Sequence, residues 1–228
     1  MKMHPKWGIP MADRNNVLEV FAELGIKPWK ELKPPEDLAK YLTGTLEAKD
    51  RDDATRFAPK SQVVFLEQPN GTPFTGFRST GRDWATVVAK LKGDLIPVVG
   101  EYKHGTGCIS LCCPSGVIGK ADDGSFENAG RREFEEETGL TVKTMTPLGS
   151  PNGIGVSTRQ STQKCYSFLA TVDESVALKP SKLDASEVLK LVLIPVRDWL
   201  AILDEKCEEA SAHLATLLAL RKLGWLQM

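Results

Sequence analysis

The spacing of apolar positions changes near residue 60. Before it, Asp13 to Leu24 places Val17, Leu18, Val20, Phe21 and Leu24 at helical spacing, with Asp13 as a cap and Gly25 just past the end. Pro34 and Pro35 open a second short helical pattern through Leu38, Tyr41 and Leu42, closed near Gly44, and Lys49 to Arg56 reads as a charged, solvated linker. From about residue 61 the pattern is that of strands. Gln62 to Leu66 is short and apolar and runs into turn chemistry at Pro69-Asn-Gly-Thr. Strands follow over Trp84–Leu91, Asp94–Glu101 and Cys108–Cys113, the last ended by Pro114-Ser-Gly. A helix is expected over about Ser125–Thr138, with Ser125 as N-cap and Gly139 as the residue past its end. Further strands near Thr141–Leu148, Lys164–Val172 and Val188–Pro195 lead to a helix pair, or one interrupted helix, over Arg197–Leu226. Strands flanked by helices in this order predict a mixed α/β sandwich. Residues 1–60 form a mainly helical N-terminal extension in this reading, and residues 61–228 the main domain.

Composition narrows the class more than the function. A chain of 228 residues with 41% hydrophobic and 26% charged residues has room for one substantial domain and an extension. A formal net charge of −1 removes any broad electrostatic case for nucleic-acid or membrane partners. The five cysteines (Cys108, Cys112, Cys113, Cys165, Cys207) include no Cys-x-x-Cys pair and no histidine at zinc-ligand spacing, so they read as free thiols of an intracellular chain. The N-terminal Met-Lys-Met-His-Pro-Lys-Trp lacks the apolar core of a secretory signal, and no stretch approaches the ~20 apolar residues needed to span a bilayer. The expectation is a soluble, cytoplasmic protein.

The chemistry concentrates in one helix. Glu133 precedes Glu136 by three residues and Glu137 by four, so the three share a face on which their carboxylates can converge. Like charges at these spacings destabilise a bare helix by roughly 0.2–0.5 kcal/mol per pair. A hard divalent cation with oxygen ligands turns that repulsion into coordination. A solvated acidic face, partly neutralised by Arg131 and Arg132, is the plain alternative for an arbitrary run of glutamates.

The order of residues around the glutamates resembles the Nudix box, G-x5-E-x7-R-E-U-x-E-E-x-G-U, where U is a bulky apolar residue. Arg132, Glu133, Phe134, Glu136, Glu137, Gly139 and Leu140 fill every specified position of its second half. The resemblance implies a Nudix α/β/α sandwich with a mixed sheet, in which Glu133, Glu136 and Glu137 ligate Mg²⁺, with Mn²⁺ able to substitute, and Arg132 orients a ligand carboxylate. The first half departs from the pattern. Gly124 stands where the family has its glutamate, and Ile118 where it has its glycine. Pro114-Ser-Gly116 is taken as the counterpart of the family's Pro-Ala-Gly entry, with the loop from Val117 to Gly124 lengthened by two. A backbone carbonyl at Ser115 or Gly116 then supplies a further metal ligand. The missing glutamate bears on the rigidity of the loop.

Looser matches point to one branch. Glu101-Tyr-Lys-His-Gly, the entry Gly124-Ser-Phe-Glu-Asn-Ala-Gly-Arg-Arg-Glu, Phe168-Leu-Ala and Glu187 to Pro195 are similar to segments of the ADP-sugar diphosphatases. That similarity implies a nucleoside diphosphate sugar as substrate, ADP-ribose or an ADP-hexose, cut to AMP and a sugar phosphate. Two other readings stand beside it, a nucleoside triphosphate pyrophosphohydrolase and a Nudix module that binds without catalysis. Arg78, Arg82, Lys103 and His104 are candidates to bind the diphosphate. The glycine-rich Gly149-Ser-Pro-Asn-Gly-Ile-Gly follows a helix rather than opening one, so it is not read as a phosphate loop. The resemblance places the general base on the loop Lys179 to Glu187, at Glu187 with Asp184 as the alternative. It also implies a homodimer, with the apolar stripes of residues 1–60 as the expected contact.

Overall fold

The computed structural model describes residues 1–29, 60–103, 105–183, 187–207 and 209–225. The helical pattern at 34–44, the charged run at 49–56, and the candidates His104 and Asp184 lie outside the described residues. In chain order the elements are β1 (Lys2–Met3), β2 (Pro10–Met11), α1 (Val17–Glu23), β3 (Lys60–Glu67), β4 (Pro73–Thr80), β5 (Trp84–Ala89), β6 (Leu95–Lys103), β7 (Cys108–Cys112) and β8 (Ser115–Val117). A 3₁₀ turn over Lys120–Asp122 precedes α2 (Phe126–Thr138), and β9 (Val142–Leu148), β10 (Ile154–Gly155), β11 (Lys164–Val172), β12 (Leu189–Pro195), α3 (Val196–Lys206) and α4 (Ala210–Lys222) complete the chain.

Contacts group these elements into two compact units. The first comprises residues 1–29, 83–154 and 165–228, and the second residues 30–82 and 155–164. Residues 1–29, expected as part of a separate extension, fall in the first.

The first unit holds two mixed sheets. One runs β1-β2-β12-β6-β7, with β12 parallel to β2 and antiparallel to β6. In the other, β11 lies parallel to β5 and antiparallel to β9, and β8 pairs antiparallel with β5. The two-residue period of β5 divides its side chains between two cores. Ala85, Val87 and Ala89 pack with Phe134 of α2 and with Phe168 and Ala170. Val88 joins Val98, Trp199 and Ala215 in the core beneath α1, α3 and α4. Helices therefore cover both faces of the sheet region, and the α/β sandwich is that expected from the sequence.

Two features differ from the expectation. Helix α1 begins at Val17 rather than near Asp13, because the Asp13 carboxylate accepts the backbone N–H groups of Asn15 and Asn16 and closes a turn ahead of it. The apolar stripe of α1 is also spent within its own unit. Val17, Val20, Phe21 and Ile26 are buried with Ile96, Val98 and Ile194, so this stripe has no need of a partner surface.

The second unit contains the antiparallel hairpin β3–β4, registered from Lys60↔Thr80 to Glu67↔Pro73. Its turn closes through Gly71, whose N–H reaches the Gln68 carbonyl at 2.8 Å. On one face Val63, Phe65 and Phe77 are exposed by 51%, 79% and 71%.

Candidate active site

Local chemistry fixes the acidic helix at both ends. The Ser125 hydroxyl accepts the Asn128 N–H at 3.2 Å, and Gly139, at φ 70°, ends α2 in the left-handed conformation. Phe134 is fully buried against β5 and sets the rotation of the helix. That rotation turns Glu133 and Glu137 toward β8, so that strand and helix bring distant parts of the chain together. The Ser115 N–H donates to Glu137 Oε2 at 3.2 Å, and the Glu133 carboxyl lies so close to Gly116 that a Cβ there would stand 2.1 Å from its Cδ.

Arg132 ties the loop to the helix. Its Nε and Nη2 hold the two oxygens of Asp122 at 2.9 and 3.0 Å, and Nη2 also reaches the Val117 carbonyl at 3.2 Å. Its Nη1 meets Glu133 Oε1 at 2.8 Å and Glu136 Oε2 at 3.0 Å. Asp122 is itself buried and accepts the Gly119 N–H at 2.6 Å. The Arg132 hydrogen bonds, helped by Gly119, hold the Asp122 carboxyl below the usual carboxylate range against the opposing effect of burial.

The other acids are shifted the opposite way. Burial, with the charges of Glu136 and Glu187, raises Glu133 to about 7 despite the pull of Arg132. Burial and the charges of Glu133, Glu101 and Glu187 push Glu137 well above the ordinary range. Glu137 is only 7% exposed. Uncompensated negative charge out of water at Glu133 and Glu137 is what an oxygen-ligated cation relieves, so the donor set fits a hard divalent metal in its chemistry. In geometry the set is not closed. Among the described residues no three His, Cys, Asp or Glu side chains are gathered to hold a metal as they stand. Glu133 and Glu136 lean on Arg132, while Glu137 turns inward to Ser115, and rotation about their side-chain bonds separates this arrangement from a shared ligand position.

The remaining candidates divide between the two units. Glu187 reaches the acid set, since its charge is felt by both Glu133 and Glu137. Lys103 pairs with Glu101 at 2.6 Å, and Glu101 in turn is felt by Glu137. Arg78 and Arg82 belong to the second unit, with Arg78 on β4 and the Arg82 carbonyl accepting Gln163 Nε2 at 3.1 Å.

Sequence reasoning missed Asp122 and Glu101. Counted back from Arg132, the acid position falls on Gly124, which lies at φ 74°, a conformation a glutamate rarely adopts. Counted forward from Gly116, five residues lead to Asp122, so the two extra residues lie after the acid and not before it. That forward count was the available signal. Glu101 stood in the matched segment Glu101-Tyr-Lys-His-Gly, but nothing in the spacing gave it a role of its own.

The NUDIX-domain family model matches residues 85–214. The chain belongs to the NUDIX family. Those residues span the described β5 to α4 and include the whole of this Nudix site. A solved structure described as an ADP compounds hydrolase superposes with a TM-score of 0.60 at 25% identity, covering 74% of this chain and 89% of its own. No curated protein sequence matches. The protein is thus a Nudix hydrolase of mixed α/β fold, and none of its described helices is long and apolar enough to cross a membrane.

Proposed function

We propose that this Nudix hydrolase cuts the diphosphate bond of a nucleoside diphosphate sugar, ADP-ribose or an ADP-hexose, with Mg²⁺ or Mn²⁺, releasing AMP and a sugar phosphate. The observation that carries the reading is the set of Glu133, Glu136 and Glu137 on one stretch of α2, with Glu137 buried against Ser115 and Glu133 against Gly116. The likeness to an ADP compounds hydrolase at 25% identity supports the nucleotide class.

Glu133, Glu136 and Glu137, with a carbonyl of Ser115 or Gly116, are the groups that would hold the metal. When bound, a divalent cation supplies charge neutralisation on the diphosphate and makes water more acidic. Arg132 gathers Glu133 and Glu136 about one nitrogen while its other donors stay on Asp122 and Val117, so the two carboxylates are drawn together before they turn to a metal. Lys103 offers an ammonium to the diphosphate oxygens. Glu187 accepts the proton of the attacking water in this reading, which its electrostatic reach to Glu133 and Glu137 supports, because carboxylates held on a cation are poor proton acceptors. The enzyme works as a homodimer, a reading supported by the exposed apolar face of Val63, Phe65 and Phe77.

The test is product analysis with ADP-ribose, ADP-glucose, UDP-glucose, NADH and nucleoside triphosphates, with and without Mg²⁺. AMP released from the ADP-sugars only when metal is present is the expected result. Turnover confined to triphosphates moves the enzyme to a pyrophosphohydrolase, and binding without turnover makes it a non-catalytic module.

A further inference from the structure

The pair Glu101–Lys103 has no part in the second half of the Nudix box. On β6 the two-residue period places Val99, Glu101 and Lys103 on one side of the sheet and Val98, Gly100 and Tyr102 on the other. The β7 residues opposite are Cys112, Ser110 and Cys108. Glu101 Oε1 holds the Lys103 ammonium at 2.6 Å, and the buried Cys112 thiol points at the same oxygen from 3.8 Å. Glu101 is also within electrostatic reach of Glu137. Glu101 therefore stands on the strand side of the acid set, as Arg132 stands on the helix side, and Lys103 is held to that side through Glu101, with Cys112 and Glu209 also within its electrostatic reach.

The two cations are committed differently. Arg132 has its donors distributed over Asp122, Val117, Glu133 and Glu136. An ammonium carries three donors, and among the described residues the ion pair of Lys103 is with Glu101. We infer that Glu101 is a positioning residue, one that pins the Lys103 ammonium beside the acid set so that its other two N–H groups meet the diphosphate of the substrate. The inference rests on the hydrolase reading for the identity of the substrate.

Two effects of Glu101 oppose each other, and their sizes decide the outcome. Its charge repels a diphosphate, but the Lys103 ammonium at 2.6 Å offsets that charge locally. Its grip on Lys103 removes in advance the rotamer freedom that a four-carbon side chain loses on binding. The grip outweighs the repulsion, so loss of Glu101 weakens binding.

The experiment is a double-mutant cycle on Glu101→Gln and Lys103→Met in the full chain, reading the dissociation constant for ADP with Mg²⁺ by calorimetry and KM and kcat with ADP-ribose. Each single variant is expected to weaken ADP binding and raise KM by about tenfold, with kcat changed far less. Glu101→Gln is expected to add nothing in the Lys103→Met background. Glu101→Asp, which keeps the carboxylate, should recover part of the loss, and Glu101→Ala replaces Glu101→Gln in the cycle if that variant does not fold. Additive effects, an unchanged dissociation constant, or tighter ADP binding in Glu101→Gln overturn the inference. Wild-type protein that binds ADP but does not hydrolyse ADP-ribose sinks the hydrolase reading and leaves the binding cycle as the judge of Glu101.

Discussion

Glu133 is a partly buried acid whose proton is held by loss of water and by neighbouring charge, and this makes its cost to the fold measurable. Its carboxyl is raised from an ordinary 4.5 to about 7 in the folded chain. Below pH 4.5 both folded and unfolded states carry the proton. Between these values the folded state alone keeps it, so the stabilisation is lost as pH rises through 7. In metal-free protein, Glu133→Gln should gain on wild type by on the order of 3 kcal/mol across that window, read from denaturant melts in EDTA. A stability difference that does not change with pH would contradict the assigned environment. Turnover has its own residue-scale test. Glu137→Gln should lower kcat by at least about 100-fold, because one oxygen ligand and its charge are gone, while circular dichroism stays that of the wild type and the metal-free variant melts no lower than wild type. Wild-type turnover in Glu136→Gln and Glu137→Gln, with metal still required, sinks the ligand assignment. The glutamates were legible in sequence because helical spacing is rigid, and three residues at i, i+3 and i+4 have one geometry. Asp122 was not, because a guanidinium accepts a carboxylate from any loop that can reach it, and loop length is the variable that spacing patterns handle worst.

At the scale of elements, the C-terminal end of α2 doubles as a docking post. The Glu136 carbonyl takes the Lys182 N–H at 2.8 Å and the Gly139 carbonyl takes the Lys179 N–H at 2.9 Å, so residues 179–182 lie against the helix that carries the acids. Gly139 permits this approach: a Cβ there would stand 2.1 Å from the Lys179 carbonyl oxygen, in a left-handed backbone. Gly139→Ala should destabilise the fold by about 2–3 kcal/mol and raise amide exchange at residues 179–182. A loss below about 0.5 kcal/mol with unchanged exchange would show that the segment docks without it. Periodicity announced α2 and β11 because both are long and strongly patterned. It did not announce β4 or β8. The first, Pro-Phe-Thr-Gly-Phe-Arg-Ser-Thr, breaks its own alternation with a glycine, and the second is three residues held by β5 rather than by any propensity of its own.

For the whole molecule, the apolar face of the β3–β4 hairpin and the buried stripe of α1 lead to a specific expectation about assembly. If two copies associate, Val63, Phe65 and Phe77 are the side chains with apolar surface to lose, whereas Val17, Val20 and Phe21 have none. If the proposed homodimer forms through this face, Phe65→Ser combined with Phe77→Ser should give a monomer in light scattering where the wild type gives a dimer, without lowering the melting temperature of the first unit. A variant that remains dimeric assigns the interface elsewhere. Sequence alone placed the expected contact in the apolar stripes of residues 1–60, since a helical stripe looks the same whether it meets its own sheet or another chain's.

The place of β12 has a consequence for how the protein is made. This strand, late in the chain, lies between β2 and β6, and its Leu193 is registered with Met11 and with Pro97. Met11 and Leu193 are about 180 residues apart, so a contact at the centre of the sheet is among the most distant in sequence. During synthesis Ile9, Val17 and Phe21 emerge early and find their sheet completed only after residue 195 has followed them out. Synthesis of the roughly 180 residues between Met11 and Leu193 thus passes with these apolar residues exposed, the condition under which nascent proteins recruit chaperones or aggregate.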